Sequence, residues 1–408
     1  MLKFLHKFIK FLIVFFKKEV YLNFKNPKFS SIMLVDDIAE KYLYNSILNN
    51  FDYISISTRP DSLSGKFYIS FKMIFYFLNG LSKKLNIKSS YIYACIKCVK
   101  PKIVIDNIND HNLVLIAKLF PKIQFIFLPQ GTWFRLKKKG RELLKYSFFS
   151  KLSSLDIKKL SNLTIFLWGD KDVELLKEEG LDIKKSEINI IKIGSWQGSY
   201  YNDIHIPSEK KYDLLFISQL HNLFIESNSE WHKQILNNTV TSVKLISEYA
   251  SEKNLSVGYI CRSKIDNDQK EIEIISSLNN ITCKFEIIKH ADINTIWKEI
   301  FRSKIILSND STGAHDAIAL YKKVVLMPLN NTEVFRWSSL KYKNDKDFWP
   351  WTIENNEHDE FKKILDNLLN FELDAYKKSI EDRVEYMCYS KNKLPSYKNI
   401  IEFIKHRL

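Results

Sequence analysis

The segment from Ser303 to Pro328, SKIILSNDSTGAHDAIALYKKVVLMP, constrains the fold more than any other part of the chain. An apolar run, Ile305-Ile306-Leu307, turns through Ser308-Asn309-Asp310. A short helical pattern from Ser311-Thr312-Gly313-Ala314 to Tyr321 follows, and a second β-branched run, Val324-Val325-Leu326, comes directly after it. Two strand-length apolar runs flanking a helix read as a βαβ unit, the building block of parallel sheets. At such a strand end the first N–H groups of the helix face outward, and hydroxyl or Gly side chains let a phosphate approach. The turn has a plainer explanation too, because Ser, Thr, Asn and Asp are the preferred helix N-caps. Capping accounts for the residue types but not for the crowding of Asp310, Ser311 and Thr312 into one turn. His315 and Asp316, in the first helical turn, can reach the same crevice, where an acidic group bonds ribose hydroxyls.

The same alternation runs through the rest of the chain. Apolar runs at 32–35, 53–56, 103–105, 125–128, 164–168 and 188–193 each end in a small or polar turn, and a second series begins at Asp213. The Pro- and Lys-containing stretch HIPSEKK, 205–211, separates the two series. A chain of 408 residues exceeds one ordinary core, and two βα series joined by one linker predict an α/β fold of two facing Rossmann-like domains. The boundaries are 31–205 for the first and 206–373 for the second, with a basic amphipathic segment over 1–30 and a helical segment over 374–408. Ligands of open parallel sheets sit beyond the carboxyl ends of the strands. Those ends carry Asp106, Gln130-Gly131, Gly194-Ser195, Ser218-Gln219, Arg262 and Asp310-Ser311-Thr312.

Charge and cysteine usage narrow the surroundings. A net charge of +15 favours a polyanionic neighbour, while the lack of zinc-finger spacing, RNA-binding aromatics or a helix-turn-helix pattern argues against nucleic acid. Five scattered cysteines and no secretory signal fit a reducing, cytoplasmic compartment, and Cys95 and Cys98 read as packed thiols in a helix. In the first residues, MLKFLHKFIKFLIVFFKK, Lys3, Lys7 and Lys10 share one helical face. The uninterrupted apolar run is too short to span a bilayer. Such a helix either lies on an anionic membrane surface, making the protein peripheral on the inner face of the cytoplasmic membrane, or docks on the protein's own core. The aromatic stretch Phe67 to Leu81 is apolar nearly all round, which predicts a helix that is deeply packed or membrane-facing. Neither GxGxxG nor GxxxxGK[ST] occurs, and no His pair has metal-ligand spacing, so neither a nicotinamide cofactor nor a metal is expected.

Four blocks carry a family resemblance: PKIVIDNINDHNLVLIAKLFPKIQFIFLPQGTWF from Pro101, IKIGSWQGSYY ending at Tyr201, YDLLFISQ from Tyr212, and NDSTGAHDAIALYKKVVL from Asn309. Together they resemble bacterial GT-B glycosyltransferases of surface polysaccharide synthesis, a set of capsule and lipopolysaccharide enzymes that includes users of CMP-Kdo. The resemblance implies a nucleotide-sugar donor bound mainly by the second domain, a glycan or lipid-linked acceptor bound by the first, and no obligatory metal or other cofactor. It also implies that Ser311, Thr312 and Gly313 meet the donor phosphate and that Asp316 or His315 meets the ribose. The family pattern often has Glu where Asp316 stands.

Chemistry assigns further roles. A departing nucleotide phosphate needs a fixed cation, for which Arg262 is placed, beside Ser218 and Gln219. The acceptor hydroxyl needs a base across the cleft, or the sugar a nucleophile. Asp106 fits, unless it only caps the next helix, with His111 as the lesser candidate. Gln130, Gly131 and Trp133 suit sugar binding, or are an ordinary turn, and Arg135 opens a basic run for an anionic acceptor or for solvent. Two other readings share the architecture: a transferase of an alcohol phosphate from a CDP carrier, as in teichoic acid synthesis, and a non-catalytic glycan- or membrane-binding module.

Overall fold

The computed structural model describes residues 22–35, 40–58, 67–106, 112–129, 136–138, 141–143, 160–178, 183, 186–204, 209–220, 230–264, 269–278, 283–290, 292, 294–309, 311–329, 341–342, 346–347, 349–388 and 394–408. The amphipathic start of the chain, most of the 205–211 linker, and His111, Gln130, Gly131, Trp133, Arg135 and Asp310 lie outside them.

Six strands form the first sheet: β1 (Ile32–Val35), β2 (Tyr53–Ile56), β3 (Ile103–Asp106), β4 (Gln124–Phe127), β5 (Leu163–Leu167) and β6 (Asn189–Lys192). Their order is β6-β5-β4-β3-β1-β2 and every pair is parallel. Five more form the second: β7 (Tyr212–Ile217), β8 (Val257–Lys264), β9 (Phe285–His290), β10 (Ser303–Ser308) and β11 (Lys323–Leu326). They lie in the order β9-β8-β7-β10-β11, again all parallel. The apolar runs of the sequence become these strands because a parallel sheet is covered on both faces, so a run such as Ile32 to Val35 is buried throughout.

Helices α1 (Glu40–Ser46), α2 (Phe71–Ser82), α3 (Ile87–Val99), α4 (Asn112–Ala117), α5 (Asp170–Glu178) and α6 (Trp196–Asp203) belong to the first series. In the second come α7 (Glu230–Lys253), α8 (Gln269–Leu278), α9 (Thr295–Arg302) and α10 (Thr312–Ala319). The chain closes with α11 (His358–Asn370), α12 (Leu373–Met387) and α13 (Ser396–Lys405). Cys95 and Cys98 are free thiols buried in α3, as their apolar setting predicts, and burial pushes both thiols up. The aromatic stretch divides: Phe67 and Tyr68 form a short strand, Ser70 caps the helix by accepting from the Met73 N–H at 3.1 Å, and only one side of α2 is packed.

The last two helices part company. Through Tyr376, Ile380, Val384 and Met387, α12 joins the core of the second sheet. In contrast, Tyr397, Ile400, Ile401 and Ile404 of α13 return to the first sheet and pack with Ile32, Leu34, Ile103 and Ile105. The end of α12 also meets the turn after β5. A Cβ on Gly169 would lie 2.5 Å from the carbonyl oxygens of Met387 and Tyr386, and backbone cannot swing aside as a side chain does. Gly169→Ala is therefore expected to lower the stability of the whole chain by about 1–3 kcal/mol, read as the shift of the denaturant midpoint.

Candidate functional site

In each sheet the strand order reverses at one place, and that place is where an open α/β sheet leaves a crevice. The second sheet reverses between β7 and β10, whose carboxyl ends are Ile217 and Ser308. Ser308 Oγ donates to the Ile217 carbonyl at 2.9 Å and accepts from the Ser311 N–H at 3.0 Å, so one hydroxyl ties the two strand ends to the start of α10. Asn309 is fixed behind it, its amide donating to Ser242 Oγ at 2.8 Å and to the Met327 carbonyl at 2.9 Å. Ser311 is the N-cap, accepting from the Gly313 N–H at 3.2 Å. The capping explanation thus holds for Ser311. Among the described residues the Thr312 N–H has no acceptor, and it sits at the positive end of the helix dipole. Ser311, Thr312 and Gly313 are all half-buried.

At the neighbouring strand end, the Arg262 guanidinium donates to the Gln219 carbonyl at 2.8 Å, which brings the β7 and β8 turns together. Desolvation lowers the Arg262 pKa below its ordinary value, with the Glu271 carboxylate opposing that shift, and the guanidinium remains charged at physiological pH. Glu271 is buried, accepting from Tyr259 at 2.8 Å and from the Arg262 N–H at 3.3 Å. Ser218 is buried and its hydroxyl accepts from the Leu220 N–H at 2.9 Å. Ser218, Gln219, Arg262, Ser311, Thr312 and Gly313 therefore stand at the carboxyl ends of three adjacent strands, β8, β7 and β10.

His315 and Asp316 follow in the same helix, two and three residues past Gly313. Both are buried, and Asp316 turns toward the first domain, where its carboxyl accepts from Ser195 Oγ. The carboxyl expected at a ribose is thus engaged with a serine of the first domain. Burial pushes the Asp316 carboxyl up to about 8, and the Ser195 hydroxyl pulls it partly back. Ser195 is itself well placed. Gly194, at a positive φ of 78°, turns the chain out of β6, and Ser195 then caps α6 by accepting from the Gly198 N–H at 2.9 Å. Its own N–H donates to Cys388 Sγ at 3.0 Å, and the Trp196 indole donates to the Pro129 carbonyl at 2.9 Å. Beside this knot Tyr201 stacks on Trp297 with ring centroids 4.6 Å apart and donates to Asn294 at 3.0 Å. Sequence reasoning set Ser195 at a polar strand end but missed its pairing with Asp316, 121 positions away.

The first sheet reverses between β1 and β3, and Asp106 stands at that point. It ends β3, in register with Val35 and Phe127, and is buried. Among the described residues no group of three or more His, Cys, Asp and Glu is disposed to hold a metal ion, and no helix is long and apolar enough to cross a membrane.

A family model for O-antigen biosynthesis proteins matches residues 182–405, more than half of the chain. The chain belongs to that family. No curated protein sequence matches it. Among solved structures, the UDP-GlcNAc 2-epimerase of Methanocaldococcus jannaschii, in complex with UDP-GlcNAc and UDP, superposes with a TM-score of 0.51 at 14% identity, over 92% of this chain and 99% of that one. MnaA of S. aureus with UDP gives 0.51 at 11% identity, covering 92% and 96%. The wall teichoic acid polymerase TagF gives 0.52 at 13% identity, covering 92% and 88%. At such identities the likeness is one of fold. This O-antigen family protein has two Rossmann-like domains in the GT-B arrangement.

Proposed function

We propose that the protein is a glycosyltransferase that moves a sugar from a nucleotide-sugar donor to a growing or lipid-linked bacterial surface glycan. The observation that carries the reading is the set of residues at the carboxyl ends of β8, β7 and β10. A helix N-terminus with an available amide, two half-buried hydroxyls and a guanidinium suit the phosphate of a nucleotide leaving group. Structures of the same fold with UDP, UDP-GlcNAc or CDPG bound support a nucleotide as the ligand class. Ser218, Gln219, Arg262, Ser311, Thr312 and Gly313 would hold the donor in the second domain, and CMP-Kdo is one candidate donor.

Asp106, at the matching point of the first sheet, would take the proton of the acceptor hydroxyl. That oxygen attacks the anomeric carbon, the bond to phosphate breaks, and the departing electron pair settles on a phosphate oxygen held by Arg262 and the α10 amides. His111, Gln130, Gly131, Trp133 and Arg135 remain candidates on the acceptor side. Asp316, whose carboxyl accepts from Ser195, is assigned to the junction between the domains, and His315 remains the candidate for ribose.

Calorimetric titration with CMP, CDP, UDP and GDP tests the reading. One of the four is expected to bind, and Arg262→Ala should weaken it by about 1.5–3 kcal/mol, the worth of a charge-assisted hydrogen bond. Binding of none, or an Arg262→Ala protein with unchanged affinity, would remove the donor site from this crevice. Product analysis with the matching donor then separates sugar transfer from transfer of an alcohol phosphate.

A further inference from the structure

Helix α2 has a face that the described residues leave uncovered. Met73, Phe77 and Gly80 point into the core, while Phe71, Phe75 and Leu78 on the other side are 94%, 64% and 50% exposed. Their spacing of four and three residues places them in one stripe. The segment 22–29 lies against the start of this helix. Leu22–Asn23 pairs in parallel with Phe67–Tyr68, and Ser70 Oγ donates to Asn26 at 2.6 Å. That segment carries two further exposed rings, Phe24 and Phe29, 76% and 67% exposed.

The chain segments that carry the stripe are basic. Residues 22–35 and 67–102 contain nine lysines and not one Asp or Glu, where the chain's average content would put about six carboxylates. Lys25, Lys28, Lys72, Lys83, Lys84 and Lys100 are exposed. An occupant that is both apolar and negatively charged suits this surface. A second copy of the chain would bring the same uncompensated lysines against these, and nucleic acid would leave the aliphatic and aromatic stripe in water.

We propose that this face docks the protein on an anionic lipid bilayer, with Phe71, Phe75 and Leu78 entering the headgroup region and the flanking lysines meeting lipid phosphates. Long lysine stems suit this position, since they cover apolar surface while the ammonium stays at the polar boundary. The inference stands apart from the glycosyltransferase reading, because it concerns a different surface from the β7/β10 crevice.

Co-sedimentation of the full chain with phosphatidylcholine vesicles, with and without an equal share of phosphatidylglycerol, tests it. The protein should pellet with the anionic vesicles and release at high salt. The triple variant Phe71→Ser, Phe75→Ser, Leu78→Ser should partition about tenfold less or weaker still. A second variant, Lys72→Gln, Lys83→Gln, Lys84→Gln, should lose the preference for anionic over neutral vesicles. All of these positions are exposed, and unchanged circular dichroism and nucleotide affinity would show that the fold and the crevice are intact. The proposal is overturned if the serine variant pellets like the wild type, which would put the contact elsewhere, residues 1–21 included. It is equally overturned if the wild type ignores phosphatidylglycerol, or if it is a dimer that the serine variant dissociates.

Discussion

An Asp106→Asn protein is expected to bind its nucleotide as tightly as the wild type and to transfer sugar about 10²- to 10⁴-fold more slowly, the usual worth of a positioned general base. The substitution keeps the shape of the side chain and removes its ability to take a proton. Asp106 is held at the end of β3 by ladder pairing on both sides, to β1 and to β4, and its carbonyl accepts from the Leu128 N–H at 2.8 Å. An amide at this place should therefore sit where the carboxylate sits. The crevice proposed for the donor lies at the end of the other sheet, so the measurement is a pair: turnover with the donor identified by calorimetry, and affinity for its nucleotide. Full turnover in Asp106→Asn would return the residue to a capping role. Loss of turnover together with loss of affinity would mean that the substitution disturbs the fold rather than the chemistry.

The second large effect concerns stability and pH. The Asp316 carboxyl is buried between the two domains, and burial pushes it up to about 8 from 3.8. Below about pH 4 the carboxyl carries its proton whether the chain is folded or not. Between about 4 and 8 the unfolded chain releases that proton while the folded chain keeps it, so stability falls as pH rises through this window and levels off above it. A displacement of this size corresponds to several kcal/mol, on the order of 1.4 kcal/mol for each unit of pKa. Asp316→Asn mimics the protonated acid and can still accept from Ser195, so it should flatten the decline and leave the variant more stable than the wild type at pH 8. Denaturant midpoints of both proteins at pH 4.5, 6 and 8 decide it. Parallel curves would mean that the carboxyl is hydrated in the folded protein and titrates normally.

Much of the architecture was legible in the chain. The runs at Ile32 and Val324 could be read as parallel strands because burial on both faces leaves no room for polar alternation, and their polar ends marked the crevice for the same reason. Ser308, Ser311 and Arg262 could be set at neighbouring strand ends from the apolar runs alone. The direction of Asp316 could not, because a carboxylate in the first turn of a helix has the same local pattern whether it meets a ribose or a serine from another domain. Similarly, the apolar surround of Phe67 to Leu81 announced a helix without saying which side would pack.

By itself the sequence determined the elements, their parallel pairing and the polar strand ends, since these follow from short-range periodicity and from the residue types that a turn requires. Tertiary structure alone decided that α13 returns to the first sheet, that Gly169 must stay bare beneath the end of α12, and that Ser195, Asp316 and Cys388 form one junction. Those are contacts between residues scores to hundreds of positions apart, and no local pattern encodes which distant surface a side chain will meet.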